Sequence, residues 1–178
     1  DASAADGSRH IAACRLRMSS DACTDAERPA IANYAAGLYH VFELDEEWLC
    51  RTIMVTEGAG RCLGPLIIAP NFPGVPTVNE GDNLGATYSG LGTAKAKDLA
   101  DVQRCLEKQP SGKATARDGA LEHVQGIGND ITDVLSRGKK QVFHDLMAAL
   151  GIKPRRLHLR DYPEAAAFLR DVIAVTQA

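Results

Sequence analysis

The sequence predicts a mixed α/β chain leaning towards α+β, with a small sheet from the N-terminal half covered by about four helices mostly from the C-terminal half. Three observations carry this. Short alternating or β-branched runs dominate the first 70 residues, a signature of half-buried strands. After Thr93 the apolar residues recur at helical spacing. Between these, residues 57–92 hold eight of the 16 glycines and four of the eight prolines, a density that argues for shaped loops.

In chain order, residues 1–8 are small and polar and predict a flexible N-terminal tail. Residues 9–18 lean towards a strand, because Cys14, Leu16 and Met18 alternate with Arg15 and Arg17; Ile11, Ala12, Arg15 and Leu16 fit a helix about as well. Asp25 is placed to cap a helix running to about Tyr39, with Pro29 in its first turn. Leu38 to Leu44 alternates again, so helix and strand compete there, with the boundary near Gly37. Asp45, Glu46 and Glu47 either begin a short helix reaching Met54 or turn into a strand, Cys50 to Thr56. The strand is preferred, and it makes a hairpin around Glu57-Gly58-Ala59-Gly60 with a second strand from Arg61 to Ala69.

The helical half is plainer. Leu99, Val102, Cys105 and Leu106 form an amphipathic stripe that begins at Thr93 and stops at Gln109-Pro110. A second helix runs from Asp118 to Gly138, with Gly126 and Gly128 inside it, and a third from Lys140 to Leu150, stopped by Gly151. Leu157-His158-Leu159 alternates like a strand. Asp161 and Glu164 then form a capping box for the last helix.

At 178 residues the chain is long enough for one domain with a single core. Its formal net charge of −3 lacks the basic footprint of a general nucleic-acid binder. No apolar run approaches the roughly 20 residues that span a bilayer, so a soluble chain is expected. The five cysteines form no paired metal-site spacing. Local pairing suggests Cys14–Cys23 and Cys50–Cys62 disulfides, with Cys105 left over; five buried thiols are the alternative. The odd count also suits a bridge to a second chain, hence a homo- or hetero-oligomer. Disulfides and the polar start favour an extracytoplasmic or secreted location over a cytoplasmic one.

No catalytic motif is intact. The glycines of Glu57 to Gly64 are spaced G-x-G-x-x-x-G, one residue too long for the dinucleotide fingerprint. Tyr88-Ser89-Gly90 lacks the flanking glycines of a nucleophile elbow, since Thr87 and Leu91 stand in their places. His123 with Asp130 and Asp133, and His40 with Glu43, Asp45 and Glu46, read as solvated polar faces, and no metal is assigned. His144 reads as a helix histidine at the core's edge. Arg156, His158 and Arg160 alternate as on a strand face that holds an acid group, or as edge charges that discourage sheet pairing.

Two functions remain. The first is an exported binding or interaction domain for an unknown small molecule or protein. Segment 57–92 is its recognition surface, and Gly58, Gly60, Arg61, Asn71, Asn83 and Tyr88 are its candidate ligand contacts. The second is a small hydrolase-like enzyme assembled from Glu57, Asp82, Ser89 and His123. No cofactor is assigned.

Overall fold

The structure, a computed structural model, describes residues 15–81, 97–112, 120–123 and 130–176. The mixed α/β class holds. Among the described residues six strands form one sheet in the order β5-β4-β1-β2-β3-β6. They are β1 (Leu16–Cys23), β2 (Ala30–Ala35), β3 (Leu38–Glu43), β4 (Thr77–Gly81), β5 (Ala120–His123) and β6 (Arg155–Arg156). The β1-β2-β3 meander is antiparallel; β4 joins β1, β5 joins β4 and β6 joins β3, all in parallel. The strand reading of 9–18 therefore holds from Leu16 onward; Cys14 lies outside the described residues.

Successive side chains of β2 go to opposite faces of the sheet. Ile31 enters the larger core with α2 (Ile53–Leu63), α3 (Lys97–Glu107) and α6 (Pro163–Val175), whereas Ala32 packs with Leu135 of α4 (Asp130–Ser136) and with Phe143 and Met147 of α5 (Lys140–Ala149). Helices thus cover both faces. This double burial explains the first correction: residues 25–39 are no helix. The run AIANYA is a strand buried on both sides, which shows little alternation and resembles a core helix. Ala36 and Gly37, with φ of 48° and 85°, make the two-residue turn into β3.

The second correction concerns the centre. Asp45 caps the short α1 (Glu46–Leu49) through Trp48 N–H at 3.2 Å, but Cys50 to Thr56 is no strand and Glu57 to Gly60 no hairpin. Residues 53–63 are α-helix, continued by a π turn at Gly64–Ile68 and a 3-10 turn at Ala69–Asn71. Pro65 has no N–H to give, and in a regular α-helix its ring would strike the carbonyl four residues back. The widened turn accommodates it, and Ala69 N–H bonds Gly64 O, five residues back. The glycines allow close approach. A Cβ on Gly60 would lie 3.0 Å from Ile31 Cγ2, and one on Gly64 3.2 Å from Asn79 Oδ1. Val55, Ala59, Cys62, Leu63, Leu66 and Ile67 are all buried along the same segment. Burial of that apolar surface outweighs the roughly 1 kcal/mol per glycine that propensity costs.

The later helices agree better with their stripes. The Thr93 helix is described from Lys97, as α3. Gly138 and Gly151, with φ of 73° and 69°, terminate α4 and α5. The expected helix from Asp118 to Gly138 is instead strand β5, which pairs along β4, followed by α4; residues 124–129 lie outside the described ones. The strand expected at 157–159 is Arg155–Arg156. The capping box does not form: Asp161 ends a 3-10 turn, and Glu164 accepts from Ser111 N–H at 3.4 Å. Arg51 holds the other end of α6, donating to Ile173 O at 2.9 Å and Thr176 O at 3.0 Å, a cation where a helix carries partial negative charge.

No described helix is long and apolar enough to cross a membrane.

Candidate functional site

Helix α2 runs antiparallel to β1. Glu57 accepts the N–H of Ala22 at 3.2 Å near the strand's carboxyl end, Gly60 lies against Ser20 and Ile31, and Gly64 lies against Met18 and Asn79. On the far side Gly58 faces Leu99 and Val102 of α3. At 100° per residue, Glu57 and Arg61 project between the sheet-facing line of Gly60 and Gly64 and the α3-facing side. Both are buried in the crevice between α2, the sheet and α3, Glu57 against β1 and Arg61 against Gln103 of α3. β1, β4 and β5 run parallel, and the carboxyl end of β1 lies at the Glu57 end of α2; ligands in parallel α/β sheets usually bind at that end of the strands.

The crevice is polar where a core is normally apolar. Ser20, Asn33, Glu57, Arg61 and Asn79 are all buried. Asn33 donates to Gly60 O at 2.8 Å, but its own Oδ1 has no partner among the described residues. Arg61, 6% exposed, donates to Gln103 Oε1 at 2.7 Å and approaches Cys62 Sγ at 3.4 Å. Among the described residues its Nε has no partner and no carboxylate forms an ion pair with it. A guanidinium stays charged under all ordinary conditions, so this is a buried cation with no carboxylate of the described residues within ion-pairing distance.

The expected site residues divide accordingly. Glu57 and Arg61 share the crevice. Gly58 and Gly60 are buried helix backbone in close packing with α3 and β2, so the first part of segment 57–92 is not an open surface. Asn71 is committed elsewhere, its amide donating to Ile67 O, Ile68 O and Tyr162 Oη. His123 ends β5 opposite Gly81 in the β4 register. Asp82, Asn83, Tyr88 and Ser89 lie outside the described residues; Asp82 follows Gly81 directly in the chain.

The local disulfides are not formed, for Cys23, Cys50, Cys62 and Cys105 are thiols. Cys23 donates to Asp25 Oδ1 at 2.8 Å, and burial and that bond raise its pKa. Burial pushes Cys62 up, opposed by Arg61, and pushes Cys105 to about 11. Such thiols are poor nucleophiles. Among the described residues no group of three His, Cys, Asp or Glu is placed to hold a metal ion.

Sequence reasoning missed Gln103, Asn79 and the buried Asp21, whose carboxylate takes the Ser136 hydroxyl at 2.5 Å on the opposite face. Asn33 did leave a signal, as the lone amide in an apolar run. Gln103 left none, because it sits at an ordinary polar position of α3.

A polar cleft lies at the opposite edge of the sheet, on the same face. His40 of β3 is 2% exposed, and its Nδ1 has no partner among the described residues. Burial first, then the charges of Arg156 and His158, bring its pKa down to about 4.

Comparison of the chain with protein-family models, with curated proteins and with solved structures returned no match. The two openings are therefore read from their own geometry.

Proposed function

We propose that this chain is a binding domain for a small anionic molecule, taken up in the crevice between α2, α3 and the carboxyl end of β4. Arg61 is the counter-charge and Glu57 an accompanying acceptor. The segment from Asp82 to Gly92, which follows β4 directly, supplies the rest of the recognition surface. One observation carries this reading: among the described residues the buried Arg61 guanidinium has only an amide oxygen and a thiol as hydrogen-bond partners. An uncompensated buried charge is costly, and a ligand phosphate or carboxylate is its natural complement. Export of the chain is a separate proposal, tested by fractionating the cells that make it.

Thermal melts with phosphate, pyrophosphate and small dicarboxylates test the anion site. A ligand present at about 100 times its Kd stabilises the fold by about 2.7 kcal/mol, so a binding anion raises the Tm in a concentration-dependent way. Arg61→Met should abolish that rise while leaving the ligand-free Tm unchanged or higher, because an isolated buried charge has been replaced by an apolar chain of similar length. A ligand-free variant that melts far below the parent, together with a parent indifferent to every anion, would make Arg61 a structural residue and end the proposal.

The enzyme reading keeps one favourable observation. The β4–β5 register sets His123 beside Gly81, at the entry to the run containing Asp82 and Ser89. Hydrolase activity that survives Ser89→Ala, His123→Ala and Glu57→Gln unchanged would remove it.

A further inference from the structure

Strand β6 is only two residues long, and it pairs with Leu38 and Tyr39 of β3 before the chain turns away. Beyond that point β3 continues to Glu43 without its neighbour. The gap is a cleft of about 370 Å³ lined by His40, Phe42 and Glu43 on one side and Arg156, Leu157 and His158 on the other. That size lies within the range of small-molecule sites.

Three features set the cleft apart from an ordinary sheet edge. His40 is buried, with a nitrogen that no described residue satisfies. Arg156 touches Val41 O at 3.4 Å and forms no ion pair among the described residues, although Glu43 lines the same cleft. Arg156 and Glu43 also border a cavity on the sheet's other face, where Arg28, Lys140 and His144 lie, so the guanidinium stands at the junction of two openings. The groups facing the cleft from β3 are therefore one imidazole and one carboxylate, and from β6 and its continuation one guanidinium and a second imidazole. Phe42 and Leu157 supply an apolar floor, with Phe42 held edge-on against Trp48 at 5.6 Å. Of the three residues whose alternation suggested an acid-binding face, Arg156 and His158 meet here. Arg160 lies in the following 3-10 turn, and His40 takes its place.

We propose that this cleft is a second binding site, for a small organic carboxylate: the acid group lies between Arg156 and His158, and the hydrocarbon body rests on Phe42 and Leu157. A planar guanidinium matches a carboxylate's two oxygens, and neutral His40 can offer a hydrogen bond without adding charge.

Benzoate is the probe, titrated into the full chain while the imidazole proton resonances are followed by NMR. The expected result is a saturable shift of the His40 and His158 signals. It should weaken at least tenfold in Arg156→Gln, an exposed position where the substitution leaves the fold intact, and fall similarly in His158→Gln. The same curve should persist in Arg61→Met, which separates this site from the α2 crevice. A non-saturating response, a curve unchanged in Arg156→Gln, or phosphate moving the same signals as strongly as benzoate would overturn the assignment.

Discussion

Arg61 and His40 are both nitrogen-bearing side chains buried on the same face of one sheet, each with an atom that lacks a partner among the described residues. They meet the cost of burial in opposite ways. His40 stays neutral, its affinity for a proton suppressed by the surrounding apolar groups and by Arg156 and His158. Arg61 has no such escape, since a guanidinium does not shed its proton. The one is a burial the fold tolerates alone; the other is the burial that the proposed anion would offset. Buried polarity is thus informative about function in proportion to how little freedom the group has to neutralise itself.

The largest expected effect comes from acid. His40 has a folded pKa of about 4 against 6.5 for an unhindered imidazole, so below 6.5 the unfolded chain takes up a proton that the fold resists. Stability from this residue is complete above pH 6.5 and is lost as pH falls towards 4, by roughly 3 kcal/mol at the limit. Urea melts at pH 7 and pH 4 should differ accordingly. In His40→Leu that part of the difference should vanish. An unaltered difference would mean that His40 is charged in the fold, and the contrast with Arg61 would fail.

Next in size is the packing that places Arg61. Gly60→Ala puts a methyl group 3.0 Å from Ile31 Cγ2, inside a fully buried strand. Overpacking of this kind costs about 1–3 kcal/mol. Gly58→Ala comes tight only on the flexible end of Leu99, 3.2 Å away, with Val102 Cγ1 at an ordinary 3.5 Å, and gains about 1 kcal/mol of helix propensity, so it should be close to neutral. Equal Tm values for the two variants would show that α2 does not sit against the sheet at Gly60.

The smallest effect is on thiol chemistry. Cys62, beside Arg61, is buried and holds its proton more tightly than a free thiol, whereas Cys50 is exposed. In a Cys14→Ser background a thiol reagent at pH 8 should modify Cys50 at least about a hundredfold faster than Cys62. Comparable rates would place Arg61 and its neighbour in an open site instead of a closed crevice.

How much of this was legible in the sequence follows from what each segment packs against. Helices α3, α5 and α6 have one face to the core and one to water, so their stripes reveal them. Strand β2 and helix α2 are enclosed on nearly every side, and enclosed segments lose the alternation that distinguishes strand from helix. The run from Glu57 to Gly64 was misleading for a further reason: its glycines serve contact between backbones, whereas single-residue preferences connect glycine with turns. Glu57 and Arg61 were named from that same run on other grounds, and the helix now explains why they lie together, four residues apart on one face. The relation of His40 to Arg156 and His158 depends on β6 pairing with β3 across more than 100 residues, and no local pattern encodes it.

The wide turn at Gly64–Ile68 adjusts phase within a single rod. Upstream, smooth glycine flanks must meet the sheet; downstream, Asn71 must reach Tyr162 next to α6. A uniform spiral rotates by a fixed step and meets both demands only by coincidence, whereas one expanded loop of backbone resets the angle between them. Excising a single residue there would restore the uniform spiral and swing everything after it by about a quarter of a circle. The segment therefore behaves as two tools on one shaft, and its length between Arg61 and Asn71 should tolerate replacement far better than it tolerates loss or gain.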